Sequence, residues 1–169
     1  MAVDHSITAR GATEVERVMG GLVARFGDLT PLMERFGIVL ETSTIERFDT
    51  ERAPDGAPWL PSLRAKVTGG KTLTNTARLK QSIRFIASPD QVEIGTNVIY
   101  ARVHQEGATI KAKGDGRLKF RLPGGLGFRS PRQVVIPRRQ FLGVSTDDRD
   151  ELLAQAEDWV AEVAPEVKP

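Results

Sequence analysis

Apolar residues recur at spacings of three and four in three stretches of the chain, the pattern of helices that each bury one face. The first runs through Val15, Val18, Met19, Leu22, Val23 and Phe26. Thr13-Glu14-Val15-Glu16 reads as its capping box, and Gly27 as its stop. The second begins at Thr30-Pro31, because proline suits the first helical position, where no N–H is needed. Leu32, Phe36, Val39 and Leu40 line its inner face to about Phe48, with Gly37 and a Thr-Ser-Thr stretch as weak points. The third carries Leu152, Leu153, Ala156, Trp159, Val160 and Val163. Ser145 or Thr146 caps it, acids at Asp147, Asp148, Asp150 and Glu151 suit its positive end, and Pro165 ends it.

Between the second and third helices the period shortens. Ile83–Ser88 and Gln91–Thr96 read as two strands joined at Pro89-Asp90, an antiparallel hairpin. Leu152, Ala156, Trp159 and Val163 are expected to pack on Ile83, Phe85, Val92 and Ile94. Pro54-Asp55-Gly56 is turn chemistry, and Trp59 is expected to anchor that loop to a core. Short helices are predicted over Thr74–Ser82 and from an Asn97 cap through Tyr100 and His104 to Gly107. Residues 108–135 read as a hairpin arm that turns at Gly114-Asp115-Gly116, with a flexible tip at Pro123–Gly127. In its second limb Leu118, Phe120 and Leu122 alternate with Arg117, Lys119 and Arg121, one face apolar and the other cationic. Val134–Pro137 is a further strand. Together these elements predict an α+β fold. Its small antiparallel sheet is packed by two N-terminal helices and a C-terminal helix, with a projecting β-hairpin arm. Residues 1–169 are expected to form one domain.

Charge changes this picture more than composition does. The 169 residues carry a net charge of only +2. Residues 102–139 hold ten basic and two acidic side chains, and residues 147–168 hold eight acidic and two basic. Opposite charge on separate segments marks a surface for a copy of the same chain, or a basic face for nucleic acid, or simply two solvated faces. Arg117, Lys119, Arg121, Arg138 and Arg139 are the candidate cations; Asp147, Asp148 and Glu151 are the candidate anions. Stacking on single strands is poorly supplied, because the chain has one tyrosine and two tryptophans. Contact with a duplex through its backbone remains open.

Candidates for chemistry are few. There is no cysteine, which removes thiolate metal sites and cysteine nucleophiles, and only two histidines are present. No run approaches 18 apolar residues, so no membrane partner is expected. Ala65–Thr72 imitates the tail of a phosphate-binding loop but lacks the first glycine, a preceding buried strand and a clear following helix. His104 and Glu106 stand two apart, which points them in different directions on a helix. No catalytic constellation, metal set or cofactor motif is found, and the chain is read as a non-enzyme without cofactor.

The order of motifs resembles a known family. Pro54-Asp55-Gly56 with Trp59 comes first, then Thr76, Leu79, Ser82 and Ile83, then Gly95-Thr96. Tyr100-Ala101 with His104-Gln105 and Gly107, then Ile136-Pro137-Arg138-Arg139-Gln140-Phe141-Leu142-Gly143, complete it ahead of the C-terminal helix. This series, from about residue 30 to 163, resembles the phage virion morphogenesis family, also called tail completion proteins. More distantly it is similar to head–tail joining and tail terminator proteins. Ala77 departs from the pattern, since relatives usually have glycine after the threonine. The resemblance makes Trp59, Tyr100, His104, Gly107, Pro137, Phe141 and Trp159 structural motif residues. It implies a structural virion protein of a tailed phage or phage-like particle, such as a prophage or gene transfer agent. Such a subunit is assembled in the host bacterial cytoplasm and closes a homo-oligomeric ring, often hexameric, at the neck. Its implied partners are the tail tube protein and the head–tail connector or stopper, with a passing contact to duplex DNA in the lumen. The competing expectation is a DNA-binding accessory protein that uses the basic arm 102–139.

Overall fold

The computed structural model describes residues 20–22, 24 and 26–164. The capping box at Thr13 and Glu16, with Val15, Val18, Met19 and Val23, lies outside the described residues. Elements follow in the order α1 (Thr30–Thr50), α2 (Leu63–Thr68), α3 (Arg78–Gln81), β1 (Arg84–Ala87), β2 (Val92–Gly95), α4 (Ala101–Glu106), β3 (Ala108–Lys111), β4 (Phe120–Arg121), β5 (Phe128–Arg129), β6 (Gln133–Ile136) and α5 (Thr146–Val163). All strand pairing is antiparallel, in three two-stranded ladders, β1–β2, β3–β6 and β4–β5. The fold is α+β. The chain groups into two compact units, the first from Met1–Glu46, Ile83–Gly95 and Leu142–Pro169, the second from Arg47–Ser82 and Thr96–Phe141.

The first unit is built on α1 and α5. Asp28 accepts the Thr30 N–H at 2.9 Å and the Thr30 hydroxyl at 2.7 Å, which satisfies a free donor at the start of α1. Leu32, Met33, Phe36 and Leu40 of α1 and Leu152, Ala156 and Trp159 of α5 form one buried cluster with Leu29. Val92 and Ile94 pack against it from the hairpin, as expected, and Ala87 joins them, whereas Ile83, though buried, and Phe85, half-buried, are not part of this cluster; Phe26 meets Trp159 edge-to-face at 5.3 Å. Met33 joins the core beyond the predicted set, and Val39 is only half-buried. Val163 departs from its expected burial: it is 47% exposed, because it closes the helix beyond the cluster.

Gly37 stands mid-helix for a steric reason. A Cβ added there would lie 2.1 Å from Cδ2 of the Phe85 ring on β1. Alanine would gain about 0.5–1 kcal/mol of helix propensity, whereas forcing a ring out of a packed site costs about 1–3 kcal/mol. Gly37→Ala is therefore expected to lower stability, and Phe85→Ala in the same chain should turn that substitution neutral or favourable. Chemical denaturation of both variants measures the sign.

The second unit is centred on aromatic rings. Phe48, in the last turn of α1, meets Trp59 edge-to-face at 5.5 Å and Phe141 at 5.4 Å. The Trp59 Nε1–H donates to the Gln140 carbonyl at 2.9 Å, so the loop anchor is satisfied as well as buried. Two short helices differ from expectation. The element predicted over Thr74–Ser82 contracts to α3, because Ala77 immediately before it is left-handed (φ 54°). Asn97 does not cap α4: Tyr100 stands at that position without a side-chain bond, and Thr96 accepts the Val98 N–H instead. Gly107 ends α4 at φ 77°, with Arg138 N 3.0 Å from where a Cβ would sit, so the fold requires glycine there.

Left-handed alanine costs about 1–2 kcal/mol, more than the roughly 0.4–1 kcal/mol that glycine forfeits through unfolded-state entropy. Ala77→Gly is thus expected to stabilise the protein slightly, a small rise in melting temperature that calorimetry can read.

Candidate assembly surfaces

The arm pairs differently from the sequence expectation. Thr109–Lys113 does not fold back at Gly114-Asp115-Gly116 onto Arg117–Leu122. β3 pairs instead with β6, Ala108 opposite Ile136 and Lys111 opposite Gln133. Ala112 N and Leu118 N then bond the carbonyls of Arg132 and Pro131, and Phe120 and Arg121 face Arg129 and Phe128. The result is one long hairpin. Its reversal falls at Pro123–Leu126, where Gly124 and Gly125 both adopt positive φ (64° and 77°). Such a turn is open to glycine at both central positions. The 113–116 turn survives as a bulge closed by Gly116 N to Lys113 O. The tip rests on α2, since a Cβ at Gly124 would lie 2.1 Å from Val67 Cγ1.

Period two sorts the second limb only in part. Leu118 and Leu122 are half-buried and Arg117, Lys119 and Arg121 are exposed, but Phe120, expected with the leucines, is 37% exposed. Cross-strand partners share a face, so Phe128, opposite Arg121, joins the cations, and it is 74% exposed. Arg117 donates to the Ser130 carbonyl at 3.0 Å, which aligns it along the arm. Lys119 and Arg121 make no ion pair or hydrogen bond among the described residues.

The other candidate cations separate. Arg138 is exposed and donates to Gln140 Oε1. Arg139 is buried: its Nε donates to the Leu60 carbonyl at 2.7 Å, and its N–H to the His104 carbonyl at 2.7 Å. Burial lowers the Arg139 guanidinium pKa, partly opposed by Glu51. Arg139 is therefore a structural cation and is not presented to a partner. Pro137 is half-buried and Phe141 fully buried. Gln105, which the motif series includes beside His104 without a role, accepts the Phe141 N–H at 3.0 Å, and Arg47 donates to the Phe141 carbonyl at 3.0 Å.

The acidic helix divides in the same way. Asp148 is buried in a capping box, with Ser145 N to Asp148 Oδ2 at 2.7 Å and Asp148 N to Ser145 Oγ at 3.0 Å. Its carboxylate completes the capping box at the start of α5, whose N-cap is Ser145. Asp147 and Glu151 are exposed, as are Asp150, Glu157, Asp158 and Glu162. Arg149 holds Asp150, and Arg35 holds Glu162 through two hydrogen bonds, which, with the smaller effect of the guanidinium charge, keep the Glu162 carboxyl below its usual range. Among the described residues no group of acids or histidines is placed to hold a metal ion.

The remaining candidates for chemistry dissolve on inspection of their geometry. Residues 65–72 hold the end of a helix, with Gly69 as left-handed C-cap; the phosphate-loop order of turn then helix is reversed. Lys71 donates to the Asp49 carbonyl, and Thr72 is buried. Glu106 pairs with Arg102 at 3.0 Å, not with His104. Tyr100 meets His104 edge-to-face at 6.0 Å, and His104 Nδ1 is buried without a hydrogen-bond partner.

Burial, and then the nearby Arg139 charge, lower the His104 pKa from 6.5. Above 6.5 both folded and unfolded chains hold the histidine neutral. As pH falls below that value the unfolded chain takes up the proton first, so stability declines until the folded pKa is passed. Unfolding free energy is expected to drop between pH 7 and the onset of carboxylate titration, about pH 5. His104→Gln should flatten that slope, and an unchanged slope would assign it to other groups.

The chain belongs to the phage virion morphogenesis family, whose model matches residues 11–161. A curated relative, the "Mu-like prophage FluMu G protein 2" of Haemophilus influenzae, is 25% identical over 153 residues, covering 90% of this chain and 94% of the relative. No solved structure matches the chain. The family supports a structural role in building a phage-type virion and association with the virion. No helix among the described residues is long and apolar enough to cross a membrane.

Proposed function

We propose that this protein is a tail completion or tail terminator subunit. It closes a ring, with six copies as the expected number, at the head-proximal end of the tail, halts tube growth and gives the head connector its docking surface. The observation that carries this reading is family membership across residues 11–161, nearly the whole chain. The relative's prophage origin, over almost its full length, agrees with such a role. The chemistry also favours scaffolding over catalysis. His104, Glu106 and Lys71 are each committed to internal packing or pairing, and the exposed charge is sorted by sign between the arm and α5.

Electron microscopy of particles made without the protein is the direct test. The expected particles are unjoined heads beside tails of irregular length, with antibody to the protein marking the neck in the complemented strain. Joined particles of normal length in its absence would overturn the reading. If the particles were normal but lacked packaged DNA, the accessory DNA-binding role of the basic arm would take its place.

A further inference from the structure

We propose that the outward face of the arm in one copy docks on the acidic face of α5 in a second copy, with Phe128 seated over Ala154. The inference rests on the self-assembling role proposed above and gives it a contact surface. The arm face presents Arg117, Lys119 and Arg121 in a row with Phe128 beside them, and no acid alternates with them. A phenylalanine 74% exposed among cations is a poor solvent surface. It has the composition of an interface anchor, an aromatic ring ringed by polar contacts.

The second copy supplies the complement. At 100° per residue the exposed acids of α5 fall in one sector opposite its buried stripe of Leu152, Ala156 and Trp159. Asp147, Glu151 and Glu157 make no ion pair among the described residues. Alternate residues of an extended limb are about 6.6 Å apart, and helix residues four apart are about 6 Å apart. Arg117 to Arg121 spans about 13 Å and Glu151 to Asp158 about 10.5 Å, so the cation row and the acidic sector have similar lengths, about two helical turns. Ala154 and Ala161 are the short, exposed side chains inside the acidic sector. Ala154 lies between Glu151 and Asp158 along the helix, so a ring seated there leaves both carboxylates beside it, within reach of the long side chains of Lys119 and Arg121 on the neighbouring limb. A nucleic acid would also accept the cations, but a duplex backbone offers no seat for an exposed phenylalanine, whereas α5 offers one.

Two heterologous patches on one chain make a contact that propagates from copy to copy, as a ring requires. They also make the test decisive. One full-length variant carries Lys119→Glu with Arg121→Glu; another carries Glu151→Lys with Asp158→Lys. All six substituted or neighbouring positions are on exposed surface, and circular dichroism should show both variants folded. Each alone is expected to weaken self-association by about tenfold or more in sedimentation. Mixed one to one, they should assemble again, since every arm then finds a helix of opposite charge. Phe128→Ala should weaken assembly about thirtyfold, as an anchor does, with little change in salt dependence. A wild-type chain that stays monomeric at every concentration would overturn both the ring and this contact. Wild-type assembly with normal assembly of both variants would overturn the contact alone. Loss of duplex DNA binding in the arm variant, with assembly intact, would reassign the face to nucleic acid.

Discussion

Trp159→Ala is expected to lower the melting temperature by roughly 6–20 °C. The indole is 6% exposed, meets Phe26 edge-to-face and lies in one cluster with Leu29, Leu32, Met33, Phe36, Leu40, Leu152 and Ala156. Removing a ring of that size costs about 3–5 kcal/mol through lost transfer energy and a cavity the helices cannot close. For a chain of this length each kcal/mol moves the midpoint about 2–4 °C. Trp159→Phe keeps most of the volume and should lose less than half as much. Val163→Ala, one turn further on at 47% exposure, should change little. Equal losses at 159 and 163 would mean that the cluster extends to the last residue of α5.

That contrast shows where the sequence was informative. The apolar stripe of α5 was legible because 3.6-residue spacing leaves no other face for Leu152, Ala156 and Trp159. It did not say where the stripe stops mattering, since Val163 fits the period and merely lacks a neighbour. The β1–β2 hairpin was legible because alternation and a Pro89-Asp90 turn agree, and Ser88 N bonds Gln91 O across it. In the arm two turn signals competed. Gly114-Asp115-Gly116 and Pro123–Gly127 are both locally sound, and only the pairing of Ala108–Lys111 with Gln133–Ile136 decides between them. That choice is non-local, so no spacing rule contains it.

The candidate surfaces divide in the same way. Charge sign and segment could be read from composition, but exposure could not. Arg138 and Arg139 are adjacent and chemically identical, yet one is exposed and the other holds the Leu60 carbonyl. Asp147 and Asp148 differ because the capping geometry takes whichever acid stands three residues after Ser145. Phe128 gave no signal at all until its strand partner was known: opposite Arg121 it joins the cations, and one residue out of register it would face the half-buried leucines.

The second large effect is expected at Phe48. Its ring is wholly buried and touches two other buried rings, Trp59 at 5.5 Å and Phe141 at 5.4 Å. Phe48→Ala should cost about 3–5 kcal/mol for the lost side chain. The edge-to-face contact with Trp59 adds to this, since such a pair is worth about 0.5–1.5 kcal/mol beyond its area. The backbone around it limits relaxation. Phe141 is held at both its N–H and its carbonyl, by Gln105 and Arg47, and Trp59 by its indole bond to Gln140. Neighbours pinned in this way cannot collapse into the gap, which places the cost toward the upper end of that range. Phe48→Leu refills much of the volume without the ring and should recover more than half of the loss. In a Trp159→Phe background, where Trp59 is the one indole, Phe48→Ala should shift the tryptophan emission to longer wavelength as water reaches the cavity. An unshifted emission with a melting temperature within 2 °C of the parent, about 1 kcal/mol or less, would show that the ring cluster is not what holds this unit together.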